Sequence, residues 1–194
     1  MKSLAFLTIL AALALPAHGG EVDPKALPKD KISALGLYLT AKEAYDMKTA
    51  NPDKVLFVDV RTQEEMQYVG FTPLIDANIP YVVNDNFGWD KERNQFAVKF
   101  NTSFGLAVTK KLEEKGLGKD AAVILMCRSG DRSSKAMDTM IKYGIKNAYS
   151  VVDGFEGDKA KDGPNKGKRV VNGWKNSGLP WTYEMDKKKM YFEE

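Results

Sequence analysis

The 194-residue chain carries 29 lysines and arginines against 26 aspartates and glutamates, with one histidine and one cysteine. Such a balanced charge gives no case for nucleic-acid binding. A single cysteine excludes an intramolecular disulfide, a C-x-x-C redox pair and a cysteine-ligated iron–sulfur cluster.

The first residues are typical of a secretory signal peptide. Lys2 precedes an apolar stretch, Leu4 to Leu15, and small residues follow, so we expect cleavage of residues 1–19 or of a slightly shorter segment ending at Ala17. The stretch is shorter than the roughly 20 residues that a membrane span needs, and no later segment is more apolar. We therefore expect an exported protein, periplasmic or secreted, without a membrane span.

Cleavage after Gly19 would also remove His18, the only histidine. A mature chain without imidazole excludes a Ser-His-Asp triad, a Cys-His pair and a His-ligated zinc or haem site. Only Lys2 among the basic residues lies in the signal, so the mature formal charge is 28 minus 26, or +2. We expect neither a metal nor a cofactor.

The rest of the chain reads as one domain at 38–183, preceded by an arm at 20–37 and followed by a charged tail at 184–194. The predicted elements in chain order are a helix between Thr40 and Pro52, a strand at Lys54–Val60, a helix from Thr62 to Tyr68, a helix at 105–115, a strand at Ala121–Met126, a helix at Ser133–Tyr143, a strand at Ala148–Val152 and a helix near Val170–Asn176. Strands that alternate with helices predict an α/β domain whose central parallel sheet has helices on both faces.

The cysteine lies at the most informative place in this pattern. Cys127 follows the apolar strand Ala121–Met126, and the loop that it begins contains Arg128 and Arg132. Because the amides at a helix start lack internal partners, such a loop is suited to hold an anion and to stabilise a thiolate. A lone cysteine after a strand is often a small buried hydrophobe, but two guanidinium groups beside it argue against that reading. We interpret Cys127 as a nucleophile.

At this point the sequence resembles the rhodanese family of sulfurtransferases over residues 38–183. The motifs that carry the resemblance are Cys127–Ser133 (Cys-Arg-Ser-Gly-Asp-Arg-Ser), Val58–Arg61, Asn78–Pro80, Asp153–Gly157, Asn172–Trp174 and Gly178–Trp181. Two features depart from the family: Phe71 stands where many members have a histidine, and the segment from Tyr81 to Phe104 is long and rich in aromatic residues. We expect this segment to shape the rim of the pocket and to offer a surface for a protein partner.

The resemblance implies a double displacement. The Cys127 thiolate would take the outer sulfur of a small anionic, thiosulfate-like donor as a persulfide and pass it to a thiol or cyanide acceptor. We expect Arg132 to turn inward and Arg128 to lie at the mouth, with the amides from Ser129 through Gly130 and Asp131 to Ser133 around the sulfur. Ser133 could also be the N-cap of the following helix, which is compatible with this role.

The same resemblance gives a supporting role to two charges beyond the loop. Asp59 and Arg61 follow the first core strand, and in the family such a pair holds adjacent loops together.

Two other classes of function compete with this one. Phosphatases and arsenate reductases also use a cysteine and arginine loop, but a Cys-x5-Arg loop needs arginine six positions after the cysteine, where this chain has Ser133. A non-catalytic module that carries sulfane sulfur or binds a partner is the third possibility, because a fold alone does not define a function.

Overall fold

A computed structural model describes residues 21–192, so the predicted signal peptide at 1–19 lies outside the described residues. The regular elements are β1 (Tyr38–Leu39), α1 (Ala41–Ala50), β2 (Val55–Asp59), α2 (Gln63–Val69), β3 (Ala77–Asn78), β4 (Val82–Asp90), β5 (Gln95–Phe100), α3 (Phe104–Glu114), β6 (Ala122–Met126), α4 (Asp131–Ile141) and β7 (Ala148–Val151). Single 3₁₀ turns occur at Pro24–Ala26, Lys29–Lys31 and Lys187–Lys189.

The central sheet has five strands in the order β1-β7-β6-β2-β3, and every neighbouring pair is parallel. Its two central strands, β2 and β6, are buried along their whole length. Apart from Asp59 at the end of β2, both strands are apolar, because helices cover both faces of the sheet. The predicted α/β fold is therefore confirmed.

Alternate residues of the central strands enter two separate hydrophobic clusters. On one face, Val58 and Leu125 pack with side chains of α3 and α4, including Val108 and Met137. On the other face, β2 and β6 pack with α1, α2 and the buried indole of Trp174. This two-sided packing leaves the carboxyl ends of the strands as the edge where polar loops meet.

The long aromatic segment forms a separate two-stranded antiparallel hairpin, β4–β5. One face is attached to the domain through Phe100, whose ring centroid lies 5.2 Å from that of Tyr81. Phe87, Trp89 and Phe96 are exposed to solvent.

Two sequence predictions about helices are wrong. No helix forms at Val170–Asn176, where the backbone runs through turns. Gly173 there has φ 93° and packs so closely that a Cβ would lie 2.4 Å from the nitrogen of Gly157. The helix after the cysteine loop begins at Asp131, not at Ser133, because Gly130 adopts a left-handed conformation that turns the chain directly into α4.

Within residues 21–192, no helix is both long and apolar enough to cross a bilayer.

Candidate active site

Cys127 lies directly after β6, the strand in the middle of the sheet, and is fully buried. Its Sγ accepts a hydrogen bond from the Gly130 amide at 3.1 Å and lies 3.6 Å from the Ser133 hydroxyl. As a thiol it donates to Asp131 Oδ1 at 3.8 Å. The loop thus curls around the sulfur and offers it donors from both the backbone and the first turn of α4.

Ser133 is a residue of this first turn and not the N-cap, which is Gly130. Its hydroxyl also lies 3.1 Å from the Gly130 carbonyl and 2.8 Å from the Ser150 hydroxyl. The alternative of Ser133 as the cap is therefore wrong. Its buried hydroxyl instead contacts the sulfur from the side of the helix.

A neighbouring loop holds the cysteine loop from behind. The amide of Phe155 donates to the carbonyl of Cys127 at 2.8 Å, and the amide of Glu156 donates to the carbonyl of Arg128 at 2.9 Å. Gly154 (φ 60°) permits this approach, since a Cβ on it would lie 2.5 Å from the carbonyl carbon of Arg128. The backbone of the loop Cys127–Ser133, which we call the nucleophile loop after the predicted role of Cys127, is consequently fixed by contacts that only a glycine allows.

Asp59 and Arg61 form a fully buried ion pair, with 2.7 Å between Asp59 Oδ2 and Arg61 Nη2. The same guanidinium donates to the carbonyl of Gly70 at 2.9 Å and stacks 3.9 Å from the ring centroid of Phe155. The pair therefore supports the residue whose amide holds Cys127, and neither of its charges contacts the sulfur. In this position the pair can stabilise the loops around Cys127 without contacting the sulfur itself.

Arg132 makes a bidentate ion pair with Glu65. Its Nη1 and Nη2 each lie 2.6 Å from a carboxylate oxygen of Glu65. Burial raises the pKa of Glu65, but the hydrogen bonds and charge of Arg132 outweigh it and lower the pKa from 4.5 to about 2. For Arg132, burial lowers the pKa, but Glu65 and, more weakly, the negative charge of Cys127 raise it. The guanidinium links α2 to the nucleophile loop.

Arg128, Ser129 and Asp131 line a cavity of about 410 Å³ beside the loop. The other lining residues come from the N-terminal arm, the β5 end of the hairpin and the segment after Gly157; they are Pro28, Asp30, Lys31, Arg93, Gln95, Asp158, Lys159 and Arg169. Arg93 and Gln95 belong to the tip of the aromatic hairpin, which therefore forms part of the pocket rim, as the sequence predicted.

Sequence reasoning found the loop but not its surroundings. Glu65 is the N3 residue of the capping box that opens α2, and its carboxylate accepts a hydrogen bond from the Thr62 amide at 3.0 Å. Lys31 and Arg169 lie in segments without periodicity, where no local pattern predicts a role in the site. Only the cavity that they line together with Arg128 identifies them.

The family model of the rhodanese-like domain matches residues 40–161. The chain therefore belongs to the rhodanese-like domain family, as its motifs predicted. Uncharacterised proteins of Rickettsia conorii and Rickettsia prowazekii are each 34% identical to it, over 75% of this chain and 96% of theirs.

A solved structure shares the fold. The crystal structure of Rv0390 from M. tuberculosis is 29% identical in sequence, with a TM-score of 0.56. The match covers 75% of this chain and 96% of that one.

Proposed function

We propose that the protein is a sulfurtransferase that carries sulfane sulfur on Cys127 as a persulfide. The observation that carries this proposal is the surroundings of Sγ, with the Gly130 amide at 3.1 Å and the Ser133 hydroxyl at 3.6 Å. These donors stabilise a thiolate without a general base, and residues 21–192 contain no histidine to act as one.

In the first step the thiolate attacks the outer sulfur of thiosulfate. The new bond joins Sγ to that sulfur, the S–S bond of the donor breaks, and its electron pair leaves with sulfite. The negative charge then lies on the terminal sulfur of the persulfide, within reach of the loop donors. In the second step a nucleophile such as cyanide or a thiolate attacks the terminal sulfur, and the Cys127 thiolate returns.

One feature of the site argues against a phosphatase or arsenate reductase. Such a loop needs a free guanidinium that donates two parallel hydrogen bonds to a tetrahedral oxyanion. Both terminal nitrogens of Arg132 are occupied by Glu65, and Ser133 occupies the position that an arginine would need. The terminal sulfur of a persulfide needs only single hydrogen-bond donors, which the loop provides.

The direct test is mass spectrometry of the purified protein after incubation with thiosulfate, together with an assay of thiocyanate formation from thiosulfate and cyanide. We expect one added sulfur on Cys127 in the wild type. Cys127→Ser should lose both the adduct and the turnover, because a hydroxyl cannot form a persulfide. Normal turnover in that variant would overturn the proposal. Loading without turnover would support the carrier alternative, and phosphoester cleavage at comparable efficiency would support a phosphatase.

We also infer that the protein acts outside the cytoplasm, on the basis of the signal-like segment at 1–19. Cell fractionation with N-terminal sequencing tests this. The exported protein should begin at His18 or Gly20, whereas a cytoplasmic protein that retains Met1 would contradict it.

A further inference from the structure

One face of the hairpin β4–β5 is almost entirely apolar. Residues paired across two strands lie on the same face of a sheet, and so do alternate residues along each strand. The register pairs Val82 with Phe100, Asn84 with Val98 and Trp89 with Phe96, so these six residues share one face. Its aromatic residues and Val98 are exposed. An apolar sheet face of this kind is suited to pack against another layer.

A bulge adds a fourth aromatic ring. The register shifts between Asp85 and Trp89, and Phe87 lies in this bulge with its side chain fully exposed. Single exposed apolar side chains are ordinary on a protein surface, but a contiguous group marks an interaction site. We call Phe87 together with the six paired residues the aromatic face.

The ring contact between the hairpin and the domain lies at the hairpin base. Phe100 packs there against Tyr81, with ring centroids 5.2 Å apart. Further out, the ring of Trp89 contacts Phe96 of the same hairpin at 5.5 Å. A two-stranded hairpin by itself is marginally stable in water, and a layer that covers its apolar face stabilises it.

The charges of the hairpin favour an identical surface as this layer. Residues 82–100 contain three acids and three bases, so their net charge is zero. On the face opposite the aromatic one, Lys99 pairs with Asp85 at 3.0 Å. A surface that binds anionic lipid carries excess lysine and arginine beside its apolar residues, which this hairpin lacks. Two copies of a neutral face meet without repulsion between like charges.

The area of the aromatic face is sufficient for a stable dimer. Phe87 is fully exposed, and Trp89, Phe96 and Phe100 are 53, 60 and 48% exposed. Since a buried aromatic side chain covers about 150–250 Å², these rings offer roughly 400–650 Å² per copy and roughly 800–1,300 Å² for two copies. Homodimer interfaces are about 65% apolar, so this corresponds to a total of roughly 1,200–2,000 Å², the range of specific, stable interfaces.

We propose that the aromatic face binds the aromatic face of a second copy of this chain. The two hairpins stack as two layers about a twofold axis, so that the same residues lie on both sides of the interface. This dimer is independent of the chemistry proposed for Cys127.

The test is sedimentation velocity of the purified exported protein over a wide concentration series. We expect a dimer that dissociates on dilution, with a Kd in the micromolar range or below, as for other interfaces of this area. Trp89→Ser and Phe96→Ser should each raise this Kd at least tenfold, because each substitution removes two rings from a symmetric interface. Tyr68→Ser is the matched control, since Tyr68 is an exposed aromatic residue of α2, outside the hairpin, and its Kd should equal that of the wild type.

A further variant guards against misfolding of the hairpin. The side chain of Phe87 is fully exposed, so Phe87→Ser leaves the packing within one copy intact. It should still raise the dimer Kd severalfold, while the circular dichroism spectrum and the urea midpoint of the monomer stay those of the wild type.

Three results would overturn the proposal. The first is a wild type that stays monomeric over the whole series. The second is a dimer whose Kd is the same in all three hairpin variants, which would place the interface elsewhere. The third is a monomer that floats with phosphatidylcholine vesicles and loses this binding in the same variants, which would assign the aromatic face to a membrane. None of these measurements uses a sulfur donor, so they leave the proposed function untouched.

Discussion

The nucleophile loop and the cavity beside it are built in opposite ways. The loop is continuous in sequence, from Cys127 to Ser133, and its amides, hydroxyl and sulfur come together because a strand ends and a helix begins. The cavity wall is assembled from the N-terminal arm, the hairpin tip and the segment around Arg169. The comparison indicates that the surroundings of Cys127 are largely local in sequence, whereas the cavity wall depends on tertiary contacts.

The largest loss of activity should come from substitution of Arg132, which belongs to the loop but forms its ion pair with Glu65 of α2. Arg132→Ala leaves the partly buried carboxylate of Glu65 without its ion-pair partner and releases α4 from α2. We expect kcat/KM with thiosulfate to fall on the order of 10²-fold or more, for a charge-assisted contact of about 2–3 kcal/mol. Steady-state kinetics measures this.

Glu65→Gln separates the two ways in which Arg132 could act. If the guanidinium positions the loop through α2, Glu65→Gln should impair activity much as Arg132→Ala does. If Arg132 instead binds the donor directly, Glu65→Gln frees it and activity should be kept or rise. Glu64→Gln, at the exposed neighbouring position, is the control.

The close packing behind the loop can be tested at Gly154. Gly154→Ala places a Cβ 2.5 Å from the nitrogen of Ser129, whereas Gly163→Ala, at a similar φ of 67°, meets nothing within 4 Å. Gly163→Ala should lower the free energy of unfolding by about 1 kcal/mol, because alanine is strained in a left-handed backbone. Gly154→Ala should lower it by about 1–3 kcal/mol more and should also reduce activity. Urea unfolding measures both, and equal losses would contradict the contact.

The ion pair of Glu65 should make the protein sensitive to acid. Its pKa in the folded state is about 2 against an ordinary value of 4.5, so the stabilisation is complete above about pH 5 and is lost as the pH falls towards 2. We expect about 2 kcal/mol of this contribution to be lost between pH 7 and pH 3. The loss in free energy of unfolding between pH 7 and pH 3, measured by urea unfolding, should be smaller for Glu65→Gln than for the wild type. An identical pH dependence in that variant would contradict the assignment.

The smallest effect should come from Arg128, which lies exposed at the mouth. Arg128→Ala should raise KM for thiosulfate severalfold with little change in kcat, and should weaken the salt dependence of donor capture, since exposed charges act through screened attraction. Kinetics at low and high salt measure this. A loss larger than that of Arg132→Ala would reverse the roles of the two arginines.

The sequence by itself determined the parts that depend on neighbouring residues. The helices predicted after Thr40 and Thr62 begin there, because each starts with a capping box, which needs only residues three positions apart. The apolar run before Cys127 gave the central strand, and the motifs gave the family.

Tertiary structure decided the rest. The short edge strands β1 and β3 exist because longer strands lie beside them. The segment at Val170–Asn176 is not helical because Asn172 and Gly173 bond to and pack against the loop at Gly157. Lys31, Glu65 and Arg169 lie at the site only in the folded chain. They are distant in sequence from Cys127, so the packing of the elements brings them there, and no local sequence pattern predicts it.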